Sequence, residues 1–457
     1  MSSGKDAKNA KPSYATIIDL PNEILAMILE QLTESDLYNL ALLCRRLHLV
    51  ALSLYFRKRR VYIYSDGAEI FSFHNTLDMA AVRLALFIRS LGSLDCKVST
   101  HNKQQTCHLQ RLILRMSVVS TVHIILSAHG PDRSPTNPLP TLLKALENKK
   151  CESLSVSGVA HNTFAERPNA APPPFVTLTS FNVAHPALLL PRWLEWTAKS
   201  LQSSPLTCLE VTNCTVELAN ALLSFTLPHL SQLHLSCRNL LVSVLAPFLS
   251  RHPTIQTLKI LSLRQDVPIT TQLFPSLSSF HGDTISLTPL LAKPMSFPHL
   301  KTIQVFDLMS HNSASIAKFL QNVTQTPASY FSTRFVVSDG LRPWLHSFRY
   351  SCRKNLAGID LTQITAIQLL CTCGIPSLMV DLPLWLSLFP ELNMLDLESW
   401  FVYAARLEDK LALVEHLSVE CPQIQIVTYS GVGGTLEDWR SGEQHYFDSP
   451  MEYSRWP

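Results

Sequence analysis

Three histidines, His123, His234 and His281, occupy the same point of a recurring L-x-x-L-x-L phrase, between two apolar residues that alternate along an extended segment. Imidazoles at equivalent points of neighbouring strands could bind a metal or move a proton. Lys259 falls between two of them in the order of the phrases, which separates them and favours a polar binding face over a metal centre. Gly431-Val432-Gly433-Gly434 follows a strand-like segment as a dinucleotide fingerprint would, but lacks the third glycine and the helix that must come after it, and reads as a loop. Cys371 and Cys373 form a C-x-C with no second pair at zinc spacing. No G-x-S-x-G, H-E-x-x-H or Walker loop is present. The expectation is a protein with no catalytic residue, no metal and no cofactor, which acts by binding.

Composition points the same way. Of 457 residues, 46% are hydrophobic and 16% charged, so a long core must be buried. Glycine is scarce (13) and proline common (29), the signature of a chain repeatedly stopped and restarted rather than of a phosphate-loop fold. A net charge of +3 is too weak a balance to imply nucleic acid or membrane as a partner. No apolar run is long enough to span a bilayer, and the first residues are polar, so a cytoplasmic or nuclear location is expected. The 11 scattered cysteines read as small buried hydrophobes in a reducing compartment, and the sequons at Asn213 and Asn322 as accidents.

Residues 1–16 read as a disordered tail. Over residues 17–60 the apolar spacing predicts three short helices. Pro21 opens the first and Glu23 suits its positive end. Leu20, Ile24, Leu25, Ile28, Leu29 and Leu32 form its apolar stripe. Ser35 or Asp36 caps a second helix with Leu37, Leu40 and Leu43. A third runs from about Arg45 through Tyr55 with Leu47, Val50, Ala51 and Leu54 inward. So small a core needs outside help, either as a cap on the rest of the chain or as a docking surface for another protein. Arg57-Lys58-Arg59-Arg60 reads either as a nuclear localisation signal or as a solvated helix end.

The residues Leu20-Pro21, Glu23-Ile24-Leu25, Ile28-Leu29, Leu32, Asp36-Leu37, Leu40 and Cys44-Arg45 closely resemble the F-box motif. Leu47 stands where that family often has an aromatic residue. The resemblance implies docking on the Skp-type adaptor of a cullin-containing ubiquitin ligase. By position, Leu20, Pro21, Ile24, Leu25, Ile28, Leu29, Leu37 and Leu40 would supply the adaptor contacts or their support.

The phrase recurs with middle residues at 122, 154, 181, 209, 233, 258, 280, 303, 367, 395 and 427. Apart from one double interval between 303 and 367, which predicts a hidden copy near Phe335-Val336-Val337, successive copies lie 22 to 32 residues apart. Val61-Ile63 and a segment near Ile88-Leu91 read as degenerate first copies. Proline precedes many copies, as at Pro228, Pro253, Pro275, Pro298, Pro390 and Pro422, where it stops one helix and starts the next turn. A unit this short cannot repay its own ordering entropy and must stack on its neighbours. Residues 61–430 thus resemble an irregular leucine-rich-repeat array. The resemblance implies an α/β solenoid, with parallel strands on the concave side and helices on the convex side. Residues 129–140 and 165–174 read as Pro-rich inserts, and 431–457 as a tail or C-terminal cap.

On such strands the outward residues are the candidate target surface: Glu210, His234, Lys259, His281, Gln304, Gln368 and Asp396, flanked by Ser155, Asn182 and Thr428. The expected function is therefore a non-catalytic substrate-recognition subunit of a Skp–cullin–F-box ubiquitin ligase, with an unidentified protein substrate. A repeat scaffold that binds proteins without ubiquitin chemistry is the second reading.

Overall fold

The computed structural model describes residues 20–59, 61–64, 67–73, 81, 88–99, 103–127, 138–158, 172–185, 188, 191–214, 219–220, 223–264, 275–291, 297–309, 319–323, 325–326, 328, 330–337, 361–362, 364–371, 375–398, 405–429, 432–443 and 445–446. The chain divides into two compact units, one of residues 1–178 with 190–196, the other of residues 179–189 with 197–457.

The first unit begins with three helices, α1 (Asn22–Leu29), α2 (Glu34–Ala41) and α3 (Arg45–Lys58). Strands β1 (Val61–Tyr64) and β2 (Gly67–Phe73) come next as an antiparallel pair. The chain then alternates: β3 (Ser90–Ser99), α4 (Lys103–Arg115), β4 (Val118–Ser127), α5 (Leu139–Leu146) and β5 (Ser153–Gly158). From β2 to β5 each strand pairs in parallel with the next. The segment Val61-Ile63, expected as a first repeat copy, is instead one arm of an antiparallel hairpin. The segment near Leu91 is the start of β3.

Alternation explains the packing. On β4, Val119, Val122, Ile124 and Leu126 are buried, as are Leu109, Leu112 and Ile113 of α4 and Leu142, Leu143 and Leu146 of α5, and the two helices pack against each other. Side chains of this kind are each worth roughly 1.5–3 kcal/mol when fully buried. The buried amide of Gln105 ties the start of α4 to the end of β3, donating to Lys97 O at 2.7 Å and accepting from Ser99 N–H at 2.9 Å.

The second unit repeats the scheme. Its elements are β6 (Ser180–Val183), the later part of α6 (Pro191–Ser203), β7 (Cys208–Cys214), β8 (Gln232–Leu241), α7 (Val242–Arg251), β9 (Thr257–Arg264), β10 (Ser279–Asp283), α8 (Thr284–Leu291), β11 (Thr302–Met309), β12 (Tyr330–Val337), β13 (Ile364–Cys371), α9 (Ile375–Leu386), β14 (Met394–Glu398), α10 (Leu407–Glu420), β15 (Ile426–Tyr429), β16 (Val432–Gly434), α11 (Leu436–Ser441) and β17 (His445–Tyr446). Strands β6 to β15 are parallel and ordered as in the sequence. Strand β12 occupies the double interval, where the hidden copy was expected.

The phrase sets the register. Phe181, Leu209, Leu233, Leu258, Phe280 and Ile303 are mutual partners across six strands, as are Ile367, Leu395 and Val427 across three, and all nine are buried. At most of these strands the residue before the strand is stitched through the backbone to the corresponding turn of its predecessor. Ser231 N–H donates to Thr207 O at 2.9 Å, Gln256 N–H to Ser231 O at 2.8 Å, and Ser278 N–H to Gln256 O at 2.9 Å. These hydrogen bonds recur at the turns into β7 to β11, β14 and β15, so each of those turns takes its position from the one before.

Two further features hold the second unit. His252, buried at the end of α7, receives Leu227 N–H on Nε2 at 2.7 Å, places Nδ1 2.7 Å from Phe248 O, and stacks on the Phe248 ring. The pattern requires a neutral ring with its proton on Nδ1. At the far end, β16 runs antiparallel to β15, where sequence patterning suggested a loop. Trp439 of α11 packs edge-on against Tyr429 and donates Nε1–H to Val427 O at 2.9 Å. A side chain at Gly433 would come 2.3 Å from Val427 O, so this close approach requires glycine. The Pro-rich inserts lie mostly outside the described residues, as does Cys373.

Candidate functional site

In the N-terminal helices the cap of α2 is Thr33, not Ser35 or Asp36. Its Oγ1 accepts from Asp36 N–H at 3.2 Å and donates to the Asp36 carboxylate at 2.6 Å. Asp36 is thus the capping partner, and its charge lies in the first turn, where the helix dipole favours it. Leu25 and Leu29 of α1, Leu37 and Ala41 of α2, and Leu47, Ala51, Leu54, Tyr55 and Phe56 of α3 form the core of this helical segment.

Polar ties from α3 lock the arrangement. Arg46 reaches back to the start of α1, bonding Leu20 O and Asn22 Oδ1. Lys58 donates to Glu30 O at 2.8 Å and to Leu32 O at 2.6 Å, satisfying carbonyls at the end of α1 that the helix leaves without partners. Arg57 pairs with Glu30, and Arg59 with Glu34 at 3.3 Å. Three members of the basic run are therefore engaged in fastening helix ends to one another.

Part of what remains outside is apolar. Ile24, Met27 and Ile28 of α1 lie on one helical face and are exposed, Met27 by 64%. Leu42 and Leu43 at the end of α2 and Leu49 on α3 are exposed as well, Leu43 by 70%. Such clustering of exposed apolar side chains marks an interaction surface. Residues 17–62 match the F-box-like family model. Comparison with curated proteins finds no match for the chain.

Within this F-box-like domain the eight residues singled out by position divide by burial. Leu25, Leu29 and Leu37 are interior. Pro21, Ile24 and Ile28 are exposed, and Leu20 and Leu40 are half-buried. Met27, Leu42, Leu43 and Leu49 join the exposed set without having been singled out. Helical periodicity identifies a wide stripe but does not say which edge of it the neighbouring helices cover.

The polar row of the second unit stands in register. Asn182, Glu210, His234, Lys259, His281 and Gln304 are successive partners on β6 to β11, and Gln368, Asp396 and Thr428 on β13 to β15. Burial divides this row too. Glu210, His234, Lys259 and Gln368 are half-buried. His281, Gln304 and Asp396, expected to face solvent, are buried, Asp396 to 3% exposure. They form short internal networks. His281 Nδ1 lies 2.8 Å from Gln304 Oε1 and its Nε2 2.6 Å from Ser279 Oγ. Asp396 accepts from Thr428 Oγ1 at 2.6 Å and from Gln368 Nε2 at 2.8 Å. Burial holds the His281 imidazole at about 4, with His234 and Lys259 beside it acting in the same direction and the Gln304 hydrogen bond opposing. Burial and Lys259 also lower His234, against the opposing pull of Glu210. The open part of the row is Asn182, Glu210, His234 and Lys259, where Asn182 Nδ2 donates to Glu210 Oε2 at 2.8 Å.

His123 lies in the first unit, away from both other histidines in the order of strands. It sits between Asp95 and Ser157, which nothing in the sequence spacing associates with it. Among the described residues no group of three or more His, Cys, Asp or Glu side chains is placed to hold a metal ion. Among them, too, no helix is long and apolar enough to cross a membrane. Cys44, Cys96, Cys107, Cys151, Cys208, Cys237 and Cys421 form no disulfide, and burial pushes the Cys151 thiol up to about 12, which leaves it unreactive.

Proposed function

We propose that this chain is the substrate-recognition subunit of a Skp–cullin–F-box ubiquitin ligase. Its F-box-like domain docks on a Skp-type adaptor and, through it, on a cullin. The strand–helix units form a leucine-rich-repeat solenoid with its strands on the concave side, and this presents a protein target from the cytoplasm or nucleus. The single observation that carries this reading is the exposure of Ile24, Met27 and Ile28 on one face of α1, with Leu42, Leu43 and Leu49 also exposed, on helices whose interior is filled by Leu25, Leu29 and Leu37. F-box domains generally bind Skp-type adaptors. The sequential parallel strands and their register support the solenoid.

This role requires no catalytic residue and no cofactor. The chain raises the effective concentration of a target lysine near the charged conjugating enzyme, an effect that intramolecular reactions show to be large. The open residues Glu210, His234 and Lys259 supply the contact with the target, while His281, Gln304 and Asp396 keep the strands beneath it in place.

The test is co-purification of the full chain with the adaptor. Met27→Asp with Ile28→Asp abolishes retention, and Leu384→Asp, which alters an exposed residue of α9, does not. Equal retention of wild type and the double variant would defeat the proposal. Adaptor binding without cullin recruitment would favour the ubiquitin-independent scaffold instead.

A further inference from the structure

Asp95, His123 and Ser157 come from three adjacent strands and meet on one face of the first unit's sheet. Asp95 of β3 is the register partner of His123 of β4, and His123 is the partner of Ser155 of β5. Ser157 lies two residues beyond Ser155 and therefore on the same face. His123 Nδ1 is 3.5 Å from Asp95 Oδ1, and His123 Nε2 is 3.2 Å from Ser157 Oγ. A carboxylate beside Nδ1 favours the tautomer with its proton there, which leaves Nε2 to accept the proton of the serine hydroxyl. Carboxylate, imidazole and hydroxyl thus stand in the order of orienting group, base and nucleophile.

Two further observations bear on reactivity. The His123 and Asp95 side chains are 38% and 34% exposed, so water and small reagents reach them. On that face Ser93, Thr121 and Ser155 are short, while Ile125, the register partner of Ser157, stands directly beside it as an apolar neighbour. Gly158 fixes the end of β5. It has φ +125°, and a side chain there would come 2.0 Å from Leu126 O, so the strand can lie this close to β4 beside Ser157 only with glycine.

We propose that Ser157 is a nucleophile that accepts an acyl group from a small activated ester or thioester, with His123 as its general base and Asp95 as the positioning residue. The Ser157 Oγ attacks the acyl carbon while its proton passes to His123 Nε2. The carbon–sulfur or carbon–oxygen bond breaks, and the leaving thiolate or alkoxide takes the proton from His123. Ser157 is left as an ester, and a water molecule activated by His123 in the same way hydrolyses it to the free acid and the serine. The activity is independent of the ligase reading, because none of the three residues belongs to the F-box-like domain or to the polar row of the second unit.

The experiment uses the full chain and a fluorophosphonate probe, which forms a phosphorus–oxygen bond to an activated serine as fluoride leaves. The expected result is one adduct, located on Ser157 by peptide mass mapping. Ser157→Ala removes it and Ser155→Ala leaves it unchanged. His123→Gln keeps hydrogen-bonding capacity but slows labelling about 100-fold, the usual scale of a general base. Asp95→Asn displaces the pH–rate profile of labelling, a readout that a purely structural role would not move. Absence of an adduct on Ser157, or equal rates for wild type and His123→Gln, overturns the proposal. An unchanged profile in Asp95→Asn overturns the part assigned to Asp95.

Discussion

Lys58 and Glu30 are joined across 28 positions of sequence: the Lys58 ammonium donates to the Glu30 carbonyl at 2.8 Å and to that of Leu32 at 2.6 Å. The last turn of α3 thereby caps the last turn of α1. Removing a charge at a helix C-terminus costs about 0.3–1 kcal/mol. Lys58→Ala should therefore leave the global fold intact but raise amide exchange in Asn22–Leu29 a few-fold, up to about fivefold. Unchanged protection across α1 would show that the contact contributes nothing.

Buried and exposed members of the same stripe should respond differently. Leu25 is fully enclosed, so Leu25→Ala should destabilise the F-box-like domain by about 2–5 kcal/mol. Ile28, 41% exposed, should tolerate Ile28→Ala within about 0.5–1 kcal/mol, since surface changes are mild. Its effect should appear in adaptor affinity instead. Urea unfolding and a binding titration on both variants separate the two.

Stability should fall as the medium is acidified below neutrality. His281 and His252 both have folded-state values held below the ordinary imidazole value, chiefly by burial. The unfolded chain then binds protons that the folded chain refuses, so the histidine contribution is complete above pH about 6.5 and declines below it. For His281 the decline continues to about pH 4. Urea midpoints measured between pH 7.5 and 4.5 should drop, and His281→Gln should flatten the curve. Equal slopes for wild type and variant would contradict the assignment.

Trp439 closes the C-terminal end by packing and by one hydrogen bond. Trp439→Phe keeps most of the packing and loses the bond to Val427 O, a cost of about 1 kcal/mol. Trp439→Ala also leaves a cavity, at about 3–5 kcal/mol. Thermal unfolding should rank the two in that order. Gly433→Ala should be as damaging as the larger deletion, because its new methyl meets backbone rather than a movable side chain.

Strand positions were legible because L-x-x-L-x-L combines a period of two with a recurring interval. The middle residues Leu209, Leu233 and Leu258 fall in register, and even β12, with no clear phrase of its own, was locatable from the doubled spacing. Burial was harder to read. His281 and His234 occupy the same point of the phrase, yet one is enclosed and the other half-open, since enclosure depends on neighbours contributed from elsewhere in the chain. The same holds for Leu29 and Met27 on α1. The Asp95–His123–Ser157 cluster was invisible for a related reason: its members are spaced by 28 and 34 residues, and only strand register makes them neighbours. The turn chemistry at Thr33 and the strand at Val432–Gly434 were missed because short polar or glycine-bearing segments admit several local structures.

A row of parallel strands offers the same unpaired edge after every addition, so nothing in such a series dictates its length. Val432–Gly434 enters that edge in the opposite sense and takes up the hydrogen bonds of Ile426–Tyr429 that another copy would use. The reversal ends the parallel series. Tyr446 and His445 then pair with Val432 and Gly433, again antiparallel, so the sheet tapers into strands of three and two residues, whose short edges give another polypeptide little to build on.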